Sequence, residues 1–184
     1  KNVRSRLMIL TLLTTNIEDD DANSAFTSSI DGTYDEYMFV CTDIGPATDS
    51  ADFMFNGSTD GGSNYNVTKT TTVFQAYMTE GGANPTLRYY TGADLAQSTA
   101  YQQLTESTGG GADEGCVFIL HLFSPSNTTY VKHFYARGHS YQSSDYSEEY
   151  YVAGYFNTTS AINAIDFKMS TGNMDGVIQM FGVA

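Results

Sequence analysis

The chain has 184 residues, of which 41% are hydrophobic, 14% aromatic and 16% charged. Disordered chains lack the aromatic and β-branched residues that offset chain entropy, so this composition excludes disorder and fits a single domain over residues 1–184. With 8 Lys and Arg against 21 Asp and Glu, the net charge of −13 disfavours nucleic acid and anionic membranes as partners.

The sequence begins with basic residues followed by an apolar run. Lys1, Arg4 and Arg6 precede the run LMILTLL at residues 7–13, an order that signal peptides share. The run is short, however, and it leads into the acidic stretch 18–21 rather than a small-residue cleavage site. We therefore predict a first strand here. No run approaches the ~18–20 apolar residues that a membrane-spanning helix needs.

The rest of the chain alternates between apolar and polar residues, with Gly, Asn and Asp between the segments. Period-two alternation predicts short strands separated by turns. The predicted strands cover residues 34–42, 51–55, 65–78, 87–90, 98–104, 115–123, 130–135, 150–156, 162–169 and 177–183. The segment 115–123 is apolar on both faces, which indicates a central strand. Residues 93–103 lack an apolar stripe and are interpreted as strand or loop. This spacing is typical of an all-β antiparallel sandwich that is jelly-roll-like.

Sequence motifs of known catalytic or cofactor-binding sites do not occur. There is no nucleophile elbow, P-loop, dinucleotide fingerprint, H-E-x-x-H or CxxC. The glycines at 109–111 lack the Lys and Ser or Thr that would follow in a phosphate-binding loop, and are interpreted as a plain loop. We predict no catalytic residue, no cofactor and no metal, and therefore no enzyme activity.

The chain has three histidines and two cysteines. His121, His133 and His139 would have to converge on one point from neighbouring strands to bind zinc, and we prefer three independent histidines. Cys41 and Cys116 each lie inside an apolar strand segment, where a free thiol acts as a small buried hydrophobe. A disulfide between them stays open, since its formation depends on how close their Cα atoms come.

Carboxylates cluster at residues 18–21, at 113–114 and at 145 with 148–149. A glycosidase needs two carboxyls facing each other across a cleft, and spacing along the chain does not place them so. The clusters 19–21 and 60–62 could offer oxygen ligands to calcium, but the EF-hand spacing is absent. Solvated turns are the preferred interpretation.

Tyrosines concentrate near residues 130–151. Tyr, Ser, Asn and Gly together form adaptable surfaces that bind proteins and sugars. The segment 135–146 has this mixture, and we interpret it as a long loop between strands. Its candidate contacts for a partner or a glycan are Tyr135, Arg137, His139, Tyr141 and Tyr146. The alternative, held equally, is that these tyrosines only cover sheet faces.

Several stretches resemble a family of largely uncharacterised structural proteins from marine tailed phages that infect cyanobacteria and other oceanic bacteria. Residues 26–39, FTSSIDGTYDEYMF, resemble that family's FTSGIDSTYDEYVF, and residues 43–49, DIGPATD, are similar to its DINPATD. The ending from FKMSTGN at 167–173 to FGV at 181–183 is similar to FKMSSGNFDGTIKLYGV. Further matching stretches are 111–114, 121–134 and 151–155. The family's first strand reads like KLISTQTAS, whereas residues 6–15 are more apolar.

The resemblance implies a virion component and carries over no catalytic residues. It leads us to expect a non-enzymatic capsid decoration or cement protein on the phage head. Such a protein would assemble in the bacterial host cytoplasm, most simply as a homotrimer, with the major capsid protein or other virion proteins as partners. The alternative is a tail-associated adhesin or fibre domain that binds host glycan or receptor through the Tyr-rich segment.

Overall fold

A computed structural model describes residues 9–184, which contain strands and no helix. The strands are β1 (Leu10–Asp21), β2 (Ser24–Phe26), β3 (Glu36–Pro46), β4 (Phe53–Ser58), β5 (Lys69–Thr79), β6 (Thr86–Tyr89), β7 (Gln102–Gln103), β8 (Cys116–Phe123), β9 (Lys132–Gln142), β10 (Tyr146–Phe156), β11 (Ala164–Met169) and β12 (Met174–Val183). The first strand is thus confirmed from Leu10 onward. Its predicted beginning lies within residues 1–8, outside the described residues.

Two antiparallel sheets form the sandwich. The larger has eight strands in the order β1-β12-β3-β8-β9-β10-β5-β6, and the smaller has four in the order β2-β11-β4-β7. When β5, β6, β9 and β10 are set aside, eight strands remain, and they can be renumbered 1 to 8 in chain order. The larger sheet then has the order 1-8-3-6 and the smaller sheet has the order 2-7-4-5. That arrangement is a jelly roll, so the predicted fold is confirmed. The four additional strands widen the larger sheet beyond β8.

The core lies between the sheets and is rich in phenylalanine. The side chain of Phe167 on β11 is fully buried, and its ring lies 5.7 Å from that of Phe53 in a stacked arrangement. The rings of Phe39 and Phe55 lie 5.6 Å and 6.1 Å from Phe167, and that of Phe26 lies 6.3 Å away. Aromatic pairs at these separations add to the free energy gained by burial. Phe167 therefore joins both sheets at the centre of the sandwich.

Two sequence-based predictions require correction. The segment 135–146 is not a long loop, because β9 continues to Gln142 and β10 begins at Tyr146. The two strands pair in continuous register from Tyr146–Gln142 to Phe156–Lys132. The predicted strand 98–104 is reduced to the two residues of β7, and the short strand β2 was not predicted.

Candidate functional site

The corrected hairpin places four of the five candidate residues on one stripe. Tyr135, Arg137, His139 and Tyr141 are alternate residues of β9, and they point away from the core. The intervening residues of β9 face the core. Tyr146 is at a position of β10 that faces the opposite side of the sheet from these four residues, and its ring packs 5.7 Å from that of Tyr77. The structure therefore brings four candidates together and separates Tyr146 from them.

The stripe belongs to a larger surface, here called the outer face. It is the side of the eight-stranded sheet turned away from the core, made of the outward alternate residues of its strands. Residues directly opposite each other on paired strands share a face. One such row crosses every strand of the sheet: Thr15, Gln179, Val40, Ile119, Arg137, Tyr151, Phe74 and Tyr89. The register of the sheet thus places residues far apart in sequence in one continuous line.

Large apolar side chains are exposed along the outer face. Within residues 9–184, nearly all exposed large hydrophobic side chains lie there, with Ile9 and Tyr130 as the exceptions. They are Leu10, Leu12, Ile17, Phe74, Met78, Leu87, Tyr89, Val117, Ile119, Tyr135 and Tyr151. An antiparallel sheet with one face on the core ordinarily turns polar residues to the other. The exposed apolar residues of the outer face are therefore unusual. In the sequence, only the segment 115–123 indicated them, and its apolarity on both faces was interpreted as a sign of a central strand.

Aromatic rings on the outer face stack on one another. The rings of His121 and Tyr135 lie 4.6 Å apart at an interplanar angle of 22°. Phe123 continues this cluster, with its ring 5.7 Å from that of Tyr135. His121 also makes a 2.6 Å contact from Nδ1 to Oε1 of Glu36 on the neighbouring strand. These rings cover each other's faces and form a ridge on the sheet.

The charged groups at the centre of the outer face are paired. Arg137 donates from Nε to Oε1 of Glu149 at 2.7 Å, and its guanidinium lies 4.9 Å from the Tyr151 ring centroid. This pairing lowers the pKa of Glu149 and raises that of Arg137. His139 contacts Oγ of Ser147 through Nε2 at 2.8 Å. The centre of the face is therefore close to electrically neutral.

Tyr141 lies at the end of the stripe, among acidic groups. Its hydroxyl donates to Oδ1 of Asp145 at 3.2 Å and to Oε2 of Glu80 at 3.3 Å. Desolvation, followed by the charges of Glu80 and Asp145, raises the pKa of Tyr141 to about 12. The phenol thus stays neutral at ordinary pH and acts as a hydrogen-bond donor.

The carboxylate cluster predicted at residues 145 and 148–149 separates in the structure. Glu149 faces outward and Glu148 inward, as alternation along β10 requires, while Asp145 lies in the turn before that strand. The carboxylate of Asp60 accepts hydrogen bonds from Asn64 and Ser58 within its own turn, which lower its pKa to about 2. Among residues 9–184, no group of three or more His, Cys, Asp and Glu side chains is placed to hold a metal ion.

A recess of about 580 Å³ lies beside the glycine loop at residues 109–111. Asp43, Asp113, Glu114 and Asp175 are among its lining residues. Glu114 folds back on the loop, where its Oε2 accepts a hydrogen bond from the backbone N–H of Gly111 at 2.6 Å. This carboxylate therefore holds the glycine loop in place.

Both cysteines face the core from the neighbouring strands β3 and β8, and both are free thiols. Burial raises the pKa of each, that of Cys116 to about 12. Because only the thiolate is a strong nucleophile, the two side chains behave as small apolar core residues.

A buried polar network lies under the additional strands, and sequence reasoning did not identify it. Tyr150 donates its hydroxyl to Oε2 of Glu148 at 2.7 Å and accepts a bond from Nε2 of Gln75 at 2.6 Å. Arg88 donates to Gln75 at 2.6 Å and forms an ion pair with Glu106 at 3.1 Å. Burial, the largest cause, raises the pKa of Glu148 to about 7.

Comparisons with protein-family models, curated proteins and solved structures gave no match for this chain. The residues that the structure describes include no helix long and apolar enough to cross a membrane.

Proposed function

We propose that this chain is a non-enzymatic structural component of a tailed-phage virion, and that it decorates or cements the head surface. Its partner there is the major capsid protein. The observation that carries the proposal is the outer face, where large apolar side chains are exposed on six of the eight strands, namely β1, β8, β9, β10, β5 and β6. Such a surface is typical of a chain that acts by burying area in an assembly.

Two further features support the proposal. Jelly rolls occur in viral capsid proteins, although they also occur in lectins and cupins, so the fold alone does not decide the function. The motif resemblance at residues 26–39, 43–49 and 167–183 selects the virion among these classes. The net charge of −13 keeps the remaining surface soluble in an assembled particle.

Copy number in intact particles tests the head-surface role. We expect cryo-electron microscopy to place this chain on the shell, and quantitative mass spectrometry to count on the order of hundreds of copies, because a closed shell repeats each contact by symmetry. The major capsid protein in the same sample serves as the internal standard. A few copies located at the tail would contradict the proposal.

A tail adhesin remains the second candidate because Tyr135, Arg137, His139 and Tyr141 form one accessible stripe. This alternative predicts glycan binding by the wild type that is lost when Tyr135 and Tyr141 are both changed to Ala. Tyr146→Ala is the matched control, since Tyr146 points to the other side of the sheet and should leave binding unchanged. An absence of wild-type binding on a broad glycan array would remove this candidate.

A further inference from the structure

A buried lysine lies against a buried side-chain amide from the other sheet. Lys69 begins β5 of the larger sheet, Asn56 lies on β4 of the smaller one, and both residues are fully buried. Nζ of Lys69 donates to Oδ1 of Asn56 at 2.8 Å, and also to the backbone oxygens of Val67 and Ala100. The Phe156 ring centroid lies 5.8 Å from the same nitrogen. An amine of one sheet is thus in direct contact with an amide of the other.

The lysine has no charged partner to hold it in its protonated form. Among residues 9–184, no carboxylate lies within ion-pairing distance of Lys69. A buried charge without a counter-charge is costly, and the group releases its proton instead. Burial lowers the pKa of Lys69 to about 7. A large share of the molecules therefore carries a neutral amine here near pH 7, and a neutral amine is a nucleophile.

The amide of Asn56 is fixed and polarised. The backbone N–H of Gly57 donates to its Oδ1 at 2.9 Å, and its Nδ2 donates to the backbone oxygens of Tyr65 and Thr99 at 2.6 Å and 3.0 Å. A donor at this distance stabilises the negative charge that develops on the oxygen when a nucleophile adds to the carbon. Because Cγ is bonded to that oxygen, a small rotation of the lysine side chain brings Nζ to the roughly 3–3.5 Å from which reaction proceeds.

We propose that Lys69 and Asn56 react with each other and form an intramolecular isopeptide bond. The lone pair of Nζ adds to Cγ of Asn56, while the two hydrogens of the neutral amine can stay bonded to the backbone oxygens of Val67 and Ala100. The bond from Cγ to Nδ2 then breaks, and Nδ2 leaves as ammonia with one proton that Nζ has released. The new amide keeps one N–H. The reaction changes no oxidation state and needs no further reactant.

Asp166 carries the proton between the two nitrogens. It lies directly opposite Asn56 in the pairing of β11 with β4, and side chains so paired share a face with Cβ atoms about 4.5–5.5 Å apart. Asp166 is 2% exposed and accepts hydrogen bonds from Nδ2 of Asn23 and from the hydroxyl of Tyr101. Burial, the largest cause, raises the pKa of Asp166, so this carboxylate accepts a proton more readily than an exposed one.

The bond joins the two sheets covalently at the point where β4 and β5 approach each other. It also closes residues 56–69 into a ring that persists in the unfolded chain, which it restricts as a disulfide does. The two cysteines of the chain are free thiols and supply no such link. The proposal does not depend on the virion role proposed above.

The intact mass and a tryptic digest of the purified wild-type chain test the bond. We expect the mass of the 184-residue chain to be lower than that of its sequence by one molecule of ammonia. After denaturation, trypsin should not cut after Lys69, because an amide has replaced its charged amine, and residues 7–88 should stay in one piece. Cleavage after Lys132 is the internal control. Lys132 is also fully buried, but its Nζ donates to the backbone oxygens of Tyr130 and Thr158.

Two results from the wild type alone would overturn the proposal. One is a chain with the full mass of its sequence. The other is a loss of ammonia with normal cleavage after Lys69, since attack of the Gly57 nitrogen on Asn56 would give a succinimide, which also loses ammonia but leaves the lysine free.

Variants identify the reacting groups. Lys69→Met and Asn56→Ala should each have the full mass of their sequences, whereas Lys132→Met, the matched control, should keep the loss of ammonia. Asp166→Asn should be purified largely without the bond, since a general acid or base contributes about 100-fold or more to the rate. Loss of ammonia that persists in Lys69→Met would overturn the proposal, and complete bond formation in Asp166→Asn would overturn the role of Asp166.

Discussion

Phe167→Ala should lower the free energy of unfolding by about 3–5 kcal/mol, the range measured when a buried phenylalanine is truncated. The side chain is fully buried, and four other phenylalanine rings surround it. These neighbours belong to both sheets and cannot collapse into the space without shifting strands. Since whole domains are stable by only about 5–15 kcal/mol, one substitution would remove a large share of the stability.

Urea denaturation at a fixed protein concentration measures this loss, with an unchanged slope indicating that the unfolded surface is the same. Tyr130→Ala is a control with a large aromatic side chain that is exposed outside the outer face, and it should cost less than about 1 kcal/mol. Phe167→Leu should fall between the two. A cost below about 1 kcal/mol for Phe167→Ala would contradict the central position of this ring.

Local alternation was enough to predict most strands and the fold class. β8, β10 and β12 alternate between buried and outward positions over many residues, so their period is visible without knowledge of their neighbours. The three residues of β2 are too few to show a period. Strand order and register depend on contacts distant in sequence, which no local pattern contains.

The misread segment 135–146 has a specific physical cause. Its inward positions on β9 are Ala136, Gly138 and Ser140, so the usual alternation of large apolar residues is missing. A side chain at Gly138 would collide with the backbone oxygen of Val117 and with the ring of Phe118, so the position has no room for one. Because close packing requires small residues at these inward positions, β9 lacks the alternation of large apolar and polar residues by which a strand is recognised in a sequence.

The outer face was not foreseen because a sequence does not show what covers an apolar residue. Val117 and Ile119 are as apolar as the core residues between them, and this pattern was interpreted as a central strand, which β8 is, as the fourth of eight strands in the larger sheet. In the structure they are 45% and 41% exposed. The apolarity of both faces of β8 therefore reflects one face in the core and one exposed apolar face, because the smaller sheet covers only one side of the strand.

Glu148→Gln should stabilise the protein above pH 7 and remove the part of the pH dependence of stability that comes from Glu148. Burial raises the folded-state pKa of Glu148 to about 7 from an ordinary value of 4.5. Between these values the folded chain keeps a proton that the unfolded chain has released. The contribution of Glu148 to the free energy of unfolding is therefore fully present below pH 4.5 and declines as the pH rises to about 7. The loss is on the order of 3–4 kcal/mol, because the pKa rises from 4.5 to about 7 and a pKa difference of one corresponds to about 1.4 kcal/mol.

The glutamine variant can keep the hydrogen bond from Tyr150 while carrying no charge at any pH. Chemical denaturation of both proteins at pH 5 and pH 8 should give nearly equal stabilities at the lower pH and a more stable variant at the higher one. The difference between the two proteins isolates Glu148 from Asp52 and Asp166, whose pKa values are also raised by burial.

Glu149→Gln is the matched control, one residue away on the opposite side of the same strand. The ion pair with Arg137 lowers the pKa of Glu149, so its contribution to stability is present above its ordinary pKa and is lost in acid. Removing this carboxyl should therefore weaken the protein slightly at pH 8, the opposite direction to Glu148→Gln. If both variants changed stability in the same direction at pH 8, the assignment of Glu148 to the buried network and of Glu149 to the outer face would be wrong. Opposite signs from adjacent glutamates would mean that alternation along one strand determines whether a carboxylate stabilises the fold.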